Sequence, residues 1–488
     1  MMIRDLLAWV VLLLLTPAAY PLAKALLAGA SEQRALVWAT AAGLAVGILT
    51  QIMFWMGIAG IRFDVLTITI VYGAVVALGT WMFRKAHLGH ASPRDPTPER
   101  LPRKIRTIYL LCIGLVAFAV LFNAVYWPFT RDDVVALYHP FAQQMAHTGA
   151  LIPLSDGENL HNMYPMLVPL SFTYAYLASG WENEYLARLL PALLAIATLP
   201  AAFVLGRKLA GISAGWLAAL LVVLTPQFGS WASTGYTELP MALYLTLSIV
   251  FALRLWEHGS SSDAAAAGVF IGLAAWTKNT ALVAIPALMC WFAWVLMHRR
   301  AGWRAVLTGL ALCALAGAPW YIRNLTQAGA LLPDTAWVDQ ARRTLESLFI
   351  FVTLPDNFGI TGWALLLGSG WAVWQVRQPV HSPGAFILML FSFPFFAAWW
   401  ALASYDPRFL VSLLPILCPL GAAACVRLWS VLPFDARRSA TPALVAVAIA
   451  LTCYNSFFIV EYKDEILRNP LMSHEAKMQI VEARRNNR

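Results

Sequence analysis

The sequence predicts an all-α polytopic membrane protein of about fourteen transmembrane helices, with juxtamembrane helices in one outer-face loop. Three observations predict it. Of 488 residues, 60% are hydrophobic and 12% charged, with mean hydropathy +0.67, whereas a soluble domain carries roughly 25% charged residues. Apolar runs of about 17 to 25 residues recur along the chain, the length that crosses ~30 Å of hydrocarbon at ~1.5 Å per residue. One long polar gap, residues 128–182, interrupts them.

In order, the candidate spans lie near 5–28, 36–60, 65–83, 107–127, 183–205, 212–232, 238–255, 264–278, 281–297, 305–322, 358–376, 385–403, 409–427 and 441–460. Met1 to Pro21 carries one Arg ahead of an apolar core and reads as a first transmembrane helix rather than a cleaved leader. Met163 to Ser179 is apolar enough to cross, yet it carries Pro165 and Pro169 between acidic flanks. It is expected to lie in, or dip into, the outer face. Three regions follow: 1–105, terminal helices with a basic loop; 106–430, a core including loop 128–182; and 431–488, a last helix with a polar tail.

Charge sets the orientation. Cytoplasmic loops carry excess Lys and Arg. Arg84, Lys85, Arg94, Arg100, Arg103, Lys104 and Arg106 outnumber Asp95 and Glu99 after the third span, so this connection is expected to be cytoplasmic. Alternation then gathers Arg207 with Lys208, Arg254, Arg299 with Arg300 and Arg304, Arg377, and Arg427 with Arg437 and Arg438 on the same side. Loop 128–182, with Arg131 against Asp132, Asp133, Asp156, Glu158 and Glu182, falls outside. The net charge of +9 is therefore a topology signal and not a nucleic-acid surface. All six cysteines lie in apolar segments and read as small hydrophobes. The cytoplasmic connections carry no nucleotide fingerprint, which argues against a nucleotide-driven pump.

Charges at membrane depth are costly and tend to mark function. Glu238 opens a span in GYTELP, Lys278 sits between two spans, Arg323 closes one in PWYIRN, and Asp406 with Arg408 begins YDPRFLVSLLP. Alternation places all five level with loop 128–182. Each has a bland explanation as a snorkelling or headgroup anchor. Together, three cations facing carboxylates at one end suggest an anion-handling site. In the loop, Val134, Val135, Leu137, Phe141 and Met145 recur at helical spacing after Asp132 and Asp133. One aspartate could cap that helix and the other act as general base. Tyr138 and Tyr164 could hydrogen-bond a sugar or phosphate, although tyrosines at this depth are often interface anchors. His139, His147 and His161 make a divalent metal conceivable, but their spacing matches no ligand pattern, and no cofactor is expected.

The order of these features resembles the C-type membrane glycosyltransferases, in particular the protein O-mannosyltransferase and aminoarabinose-transferase group. Asp132-Asp133 resembles the acidic pair opening that family's first outer loop, and Tyr164-Pro165 its Tyr-Pro element. WTKN at Lys278, PWYIRN at Arg323 and PRFLVSLLP at Arg408 resemble three later elements, across roughly residues 105–425. Asp133 stands where the family often has Glu, and Asn279 where it has Gly.

The resemblance implies transfer of a sugar from a polyprenyl-phosphate donor to a glycan, lipid or protein acceptor at the outer face of the cytoplasmic membrane. It implies Asp132 as the catalytic base, with Asp133 orienting it or supporting the acceptor, and Lys278, Arg323 and Arg408 as holders of the donor phosphate. Arg131, Tyr138, His139, His161, Tyr164, Glu238 and Asp406 would support the acceptor or the site. Alternatives are a polymer ligase using a lipid-diphosphate glycan, a secondary transporter relaying protons through Glu238, Asp406 and Lys278, and a non-catalytic scaffold. Transporters usually carry internal repeats and midplane charges, and neither is present in the sequence.

Overall fold

The computed structural model describes residues 2–27, 34–87, 101–154, 163–332, 336–378 and 382–486, and these are 84% helical with no strands. His161, with Asp156 and Glu158, lies outside the described residues. Eleven described helices are long and apolar enough to cross a membrane, making this an integral membrane protein.

The chain opens with α1 (Met2–Leu26), α2 (Arg34–Ile58), α3 (Val65–His87) and α4 (Arg103–Tyr126). Two shorter helices, α5 (His139–Thr148) and α6 (Leu167–Ser179), build the polar gap. The next elements are α7 (Glu184–Leu224), α8 (Pro226–Ala232), α9 (Glu238–His258), α10 (Ser261–Thr277), α11 (Ala284–Met297) and α12 (Trp303–Ala328). Three one-turn helices, α13 (Leu345–Leu348), α14 (Ile350–Thr353) and α15 (Pro355–Phe358), lead to α16 (Thr361–Val376), α17 (Pro383–Leu402), α18 (Leu414–Val431) and α19 (Phe434–Ile459). The chain ends in α20 (Lys463–Arg468) and α21 (His474–Asn486).

Eleven long helices and fourteen apolar runs are reconciled by three elements. At 41 residues α7 would be ~62 Å long, twice the hydrocarbon thickness, if it were straight. It is bent back at Ala210 and Gly211, where Gly211 takes a φ of 80°. A Cβ on Gly206 would press the Ala214 carbonyl, and one on Gly215 that of Phe203, so the two halves lie against each other and hold two of the predicted runs. The other two runs are α10 and α16, of 17 and 16 residues.

Helix α6, of 13 residues, is too short to cross the hydrocarbon layer, and Leu167 to Tyr176 are all buried, among α1, α2, α5 and α7. It has no polar stripe, and a helix apolar on every side belongs in the interior.

The two ends of the bundle carry different chemistry. At one end, Trp181 Nε1 donates to Asp5 Oδ1 at 2.6 Å, and Phe63 N donates to the Gly149 carbonyl at 2.7 Å. These contacts bring the start of α1 and the α2–α3 connection to the polar gap. At the other end Arg254 pairs with buried Asp263 at 2.8 Å, and Lys208 with Glu257. The charge ledger assigned these two sets to opposite faces.

Between them, α10 and α12 cross through small residues. A Cβ on Gly268 would overlap the Gly309 carbonyl, and one on Gly272 that of Cys313. Close backbone approach of this kind is how helices gain packing in lipid. Gly268→Ala is therefore expected to destabilise by about 1–3 kcal/mol through overpacking. Thermal unfolding in detergent should show it, whereas Gly370→Ala, with nothing within 4 Å of the new methyl, should not lower the midpoint.

Candidate active site

The segment leaving α4 is held before the aspartates are reached. Phe129 N donates to Glu184 Oε2 at 2.6 Å, and Thr130 Oγ1 lies 2.9 Å from Glu461 Oε2. Arg131 lies over the Trp231 ring, 5.0 Å from its centroid, and 3.5 Å from Glu461 Oε1. A helix then starts, with Val135 N donating to the Arg131 carbonyl at 3.1 Å. Its turn Val134–Tyr138 is π-helical and runs into α5. Such turns are rare and frequently found at functional sites. Asp133 makes no side-chain cap, so the expected division into one capping and one chemical aspartate is not what separates the pair. Burial separates them. Asp132 is exposed and has no hydrogen bond or ion pair among the described residues. Asp133 turns inward: its Oδ2 accepts from Arg408 Nη1 at 2.9 Å and its backbone N–H donates to the Tyr236 hydroxyl at 3.3 Å.

Behind Asp133 lies a charge cluster supplied by the ends of three later helices. Glu238, the first residue of α9, is wholly buried, and its Oε1 accepts from Lys278 Nζ at 2.6 Å. Lys278 ends α10 in extended backbone and lies over Phe409, 4.3 Å from the ring centroid. Arg408 Nε lies 3.2 Å from Glu238 Oε1 and 3.3 Å from Asp406 Oδ2. Asp406 Oδ1 accepts from the Arg408 backbone N–H at 2.8 Å, which fixes the turn carrying the arginine. The rings of Tyr236, Phe409 and Trp231 surround the guanidinium at 4.7, 5.1 and 5.2 Å.

Side-chain exposure rises from 0% at Glu238 through 14% at Lys278 and Arg408 and 28% at Asp406 to 41% at Asp133. The cluster is a graded path from the bundle interior to the open end. Three carboxylates face two cations, a formal balance of −1. Isolated buried charges would each cost several kcal/mol, so this pairing is a condition for the site to exist.

Arg323 is placed differently. It does not join Lys278 and Arg408: its Nη2 donates to the Ile152 carbonyl at 2.5 Å, and it packs on Trp320 at 4.6 Å. Its Nη1 is buried without a hydrogen-bond partner among the described residues. On the same turns of α12, Trp320 Nε1 and Asn324 Nδ2 each donate to the Met163 carbonyl at 3.0 Å. The PWYIRN element thus grips main chain on both sides of the gap between α5 and α6, and Tyr164 follows the gripped residue.

The tyrosines converge and the histidines do not. Burial pushes the Tyr138, Tyr164 and Tyr236 phenols up, with the charge of nearby Asp133 adding to each, so all three stay protonated at neutral pH. Tyr138 reaches Thr237 Oγ1 at 3.5 Å. His139 Nδ1 shares a hydrogen bond with the Tyr176 hydroxyl at 2.7 Å, and burial pushes its pKa down, which leaves it neutral. His147 faces Glu182 at 3.0 Å. Among the described residues no three His, Cys, Asp or Glu side chains are grouped to hold a metal.

Sequence reasoning missed Glu461, Arg188, Tyr236 and Thr237. Arg188 offered a signal: it is a charge inside the apolar run EYLARLLPALL, the same criterion that found Lys278. Glu461 offered none.

The all-helical membrane bundle has the C-type membrane glycosyltransferase fold, which its superposition on two solved structures shows. Residues 165–322 match the family model described as dolichyl-phosphate-mannose-protein mannosyltransferase. The segment includes Glu238 and Lys278 and leaves out Asp132, Asp133, Arg323 and Arg408. Two crystal structures of ArnT from Cupriavidus metallidurans superpose on the fold. The one bound to undecaprenyl phosphate gives 19% identity and TM-score 0.52 over 71% of this chain, and the apo form 18% and 0.51 over 72%. This chain spans 64% of the length of either ArnT chain. The archaeal oligosaccharyltransferase AglB from Archaeoglobus fulgidus, in complex with an inhibitory peptide and a dolichol-phosphate, matches at 11% identity and TM-score 0.48, over 74% of this chain and 56% of that one. No curated protein matches the chain.

Proposed function

We propose that the protein is a glycosyltransferase that moves a hexose or pentose from a polyprenyl-phosphate carrier to a glycan, lipid or protein acceptor, at the outer face of the cytoplasmic membrane. The observation that carries the reading is the contrast within the acidic pair: an exposed Asp132, without a partner among the described residues, beside an Asp133 tied into the cation cluster. A general base needs a carboxylate free to receive a proton within reach of its substrate. Asp132 takes the proton from the acceptor hydroxyl as its oxygen attacks the anomeric carbon. The bond from that carbon to the phosphate oxygen breaks, and its electron pair leaves with the lipid phosphate. One direct displacement inverts the anomeric centre.

The leaving phosphate needs cations, and preorganised positive charge stabilises the charge that develops as the bond breaks. Arg408 is occupied by carboxylates in the free protein, and Asp133 is the most exposed of its three partners. The donor phosphate replaces Asp133 on Arg408, with Lys278 behind it and Arg323 completing the set. Asp133, released, then orients the acceptor beside Asp132. Tyr138, Tyr164 and Tyr236 offer hydroxyl donors to sugar or phosphate oxygens. Arg131 and Asp406 hold the site from either side, and His139 braces α5. His161 is assigned to the acceptor side on the family resemblance alone.

The test is transfer by purified protein from a panel of polyprenyl-monophosphate hexoses and pentoses, with anomeric analysis of the product by NMR and a structure with polyprenyl phosphate bound. Inverted product is expected, with the phosphate in contact with Arg408 and Lys278. Retention would reject single displacement, and a phosphate farther than about 3.5 Å from Lys278, Arg323 and Arg408 would reject the site. Transfer only of a preassembled glycan from a lipid diphosphate would favour the polymer-ligase alternative. Arg408→Lys keeps the charge but loses the fork, so donor KM should rise about 10- to 100-fold, the worth of one charge-assisted hydrogen bond.

A further inference from the structure

We infer that Glu461, at the start of the C-terminal tail, is a positioning residue for the transfer reaction, fixing the turn that presents Asp132 and Asp133. The inference rests on the reading of Asp132 as the base. Glu461 stands two residues beyond the end of α19 and reaches back across 331 residues of sequence to Thr130. Its Oε2 lies 2.9 Å from Thr130 Oγ1, 3.3 Å from Asn123 Nδ2 and 3.5 Å from Arg188 Nη2, and its Oε1 lies 3.5 Å from Arg131 Nη2. Its main chain is engaged as well: the backbone N–H donates to Asn123 Oδ1 at 3.0 Å, and the carbonyl accepts from Trp127 Nε1 at 2.9 Å. One residue thus ties the last turn of α4, the Trp127 ring and both residues ahead of Asp132.

The arrangement is costly, which argues that it is held for a purpose. Arg188 is fully buried, and its Nε donates to the Ser233 carbonyl at 2.8 Å while Nη1 donates to the Trp127 and Pro128 carbonyls. Glu461 is the carboxylate in ion-pair contact with it, and with 13% exposure is itself largely out of water. Tyr462 takes a left-handed φ of 45°, uncommon for a residue with a Cβ, and its ring packs edge-on against Trp127 at 5.0 Å. Strain of this kind persists where surrounding structure over-determines it. Neither Glu461 nor Arg188 touches the charge cluster at Asp133, so their effect reaches the reaction through the geometry of residues 127–131.

Full-length protein in detergent, assayed with the polyprenyl-phosphate sugar identified by the donor panel, tests the inference. Glu461→Ala is expected to lower kcat about 10- to 100-fold, the cost of roughly 1 Å of misplacement, with donor KM within about twofold. Glu461→Gln keeps the Thr130 hydrogen bond and should recover most of the loss. Amide hydrogen exchange over residues 129–135 should quicken in Glu461→Ala, measured well below the unfolding midpoint of the variant. Unchanged kcat, or an effect on KM alone, overturns the inference. Should Glu461→Ala fail to fold, Arg131→Gln breaks the same tie from its exposed side and is held to the same outcomes. Asp132→Asn separates the two readings: if it stays active, the assignment of the base is wrong, and exchange at 129–135 still decides whether Glu461 orders the turn. If Asp132→Asn is inactive and Glu461→Ala is not impaired, the inference about Glu461 alone falls.

Discussion

Asp132→Asn is expected to lower turnover by about 10²- to 10⁴-fold, the usual worth of a positioned general base. It should leave the donor KM and thermal unfolding close to those of the parent protein. Both parts follow from one observation, that the Asp132 carboxylate is exposed and makes no hydrogen bond or ion pair among the described residues. The neighbouring substitution should behave differently. Asp133→Asn removes the partner that Arg408 holds at 2.9 Å, so it alters the cation that meets the donor and should change KM as well as kcat. Steady-state kinetics on the two variants distinguishes the roles. Turnover of Asp132→Asn within about threefold of the parent would exclude it as the base.

The second large effect concerns stability. Glu238 is wholly buried between Lys278 at 2.6 Å and Arg408 at 3.2 Å. Glu238→Ala would leave two cations facing each other at the end of an apolar bundle. Breaking a buried ion pair from one side typically costs about 3–5 kcal/mol, far more than removing both partners. The unfolding midpoint in detergent should fall sharply in Glu238→Ala and recover in good part when Lys278→Met is added. An equal or greater loss in the double variant would mean that Lys278 is anchored by something other than this carboxylate.

The charge cluster was legible because lipid makes charge conspicuous. Glu238, Lys278, Asp406 and Arg408 each stand at the edge of an apolar run, and alternation of the runs was enough to bring them to one end. Which cation meets which carboxylate was not legible, since pairing depends on side-chain reach among helices far apart in sequence. Arg323 illustrates the limit. Its position showed the end of the bundle it occupies, and nothing in the sequence indicated the Ile152 carbonyl that its guanidinium contacts. Glu461 marks the other limit: in a polar tail a glutamate is unremarkable, and only the fold shows that the tail returns to the loop. Helix α7 reads as two spans on length and hydropathy, and the sharp turn at Ala210 and Gly211 divides it there.

Helix α12 holds the polar gap by its main chain. Trp320 and Asn324 bind the carbonyl of Met163, and Arg323 binds that of Ile152, so no side chain of the held segment takes part. Every amino acid carries a carbonyl, and a clasp that reads only carbonyls is indifferent to what it clasps. Ile152 and Met163 can therefore change side chain without giving up any of the three hydrogen bonds, so the clasp fixes where the chain passes and not which residues pass there.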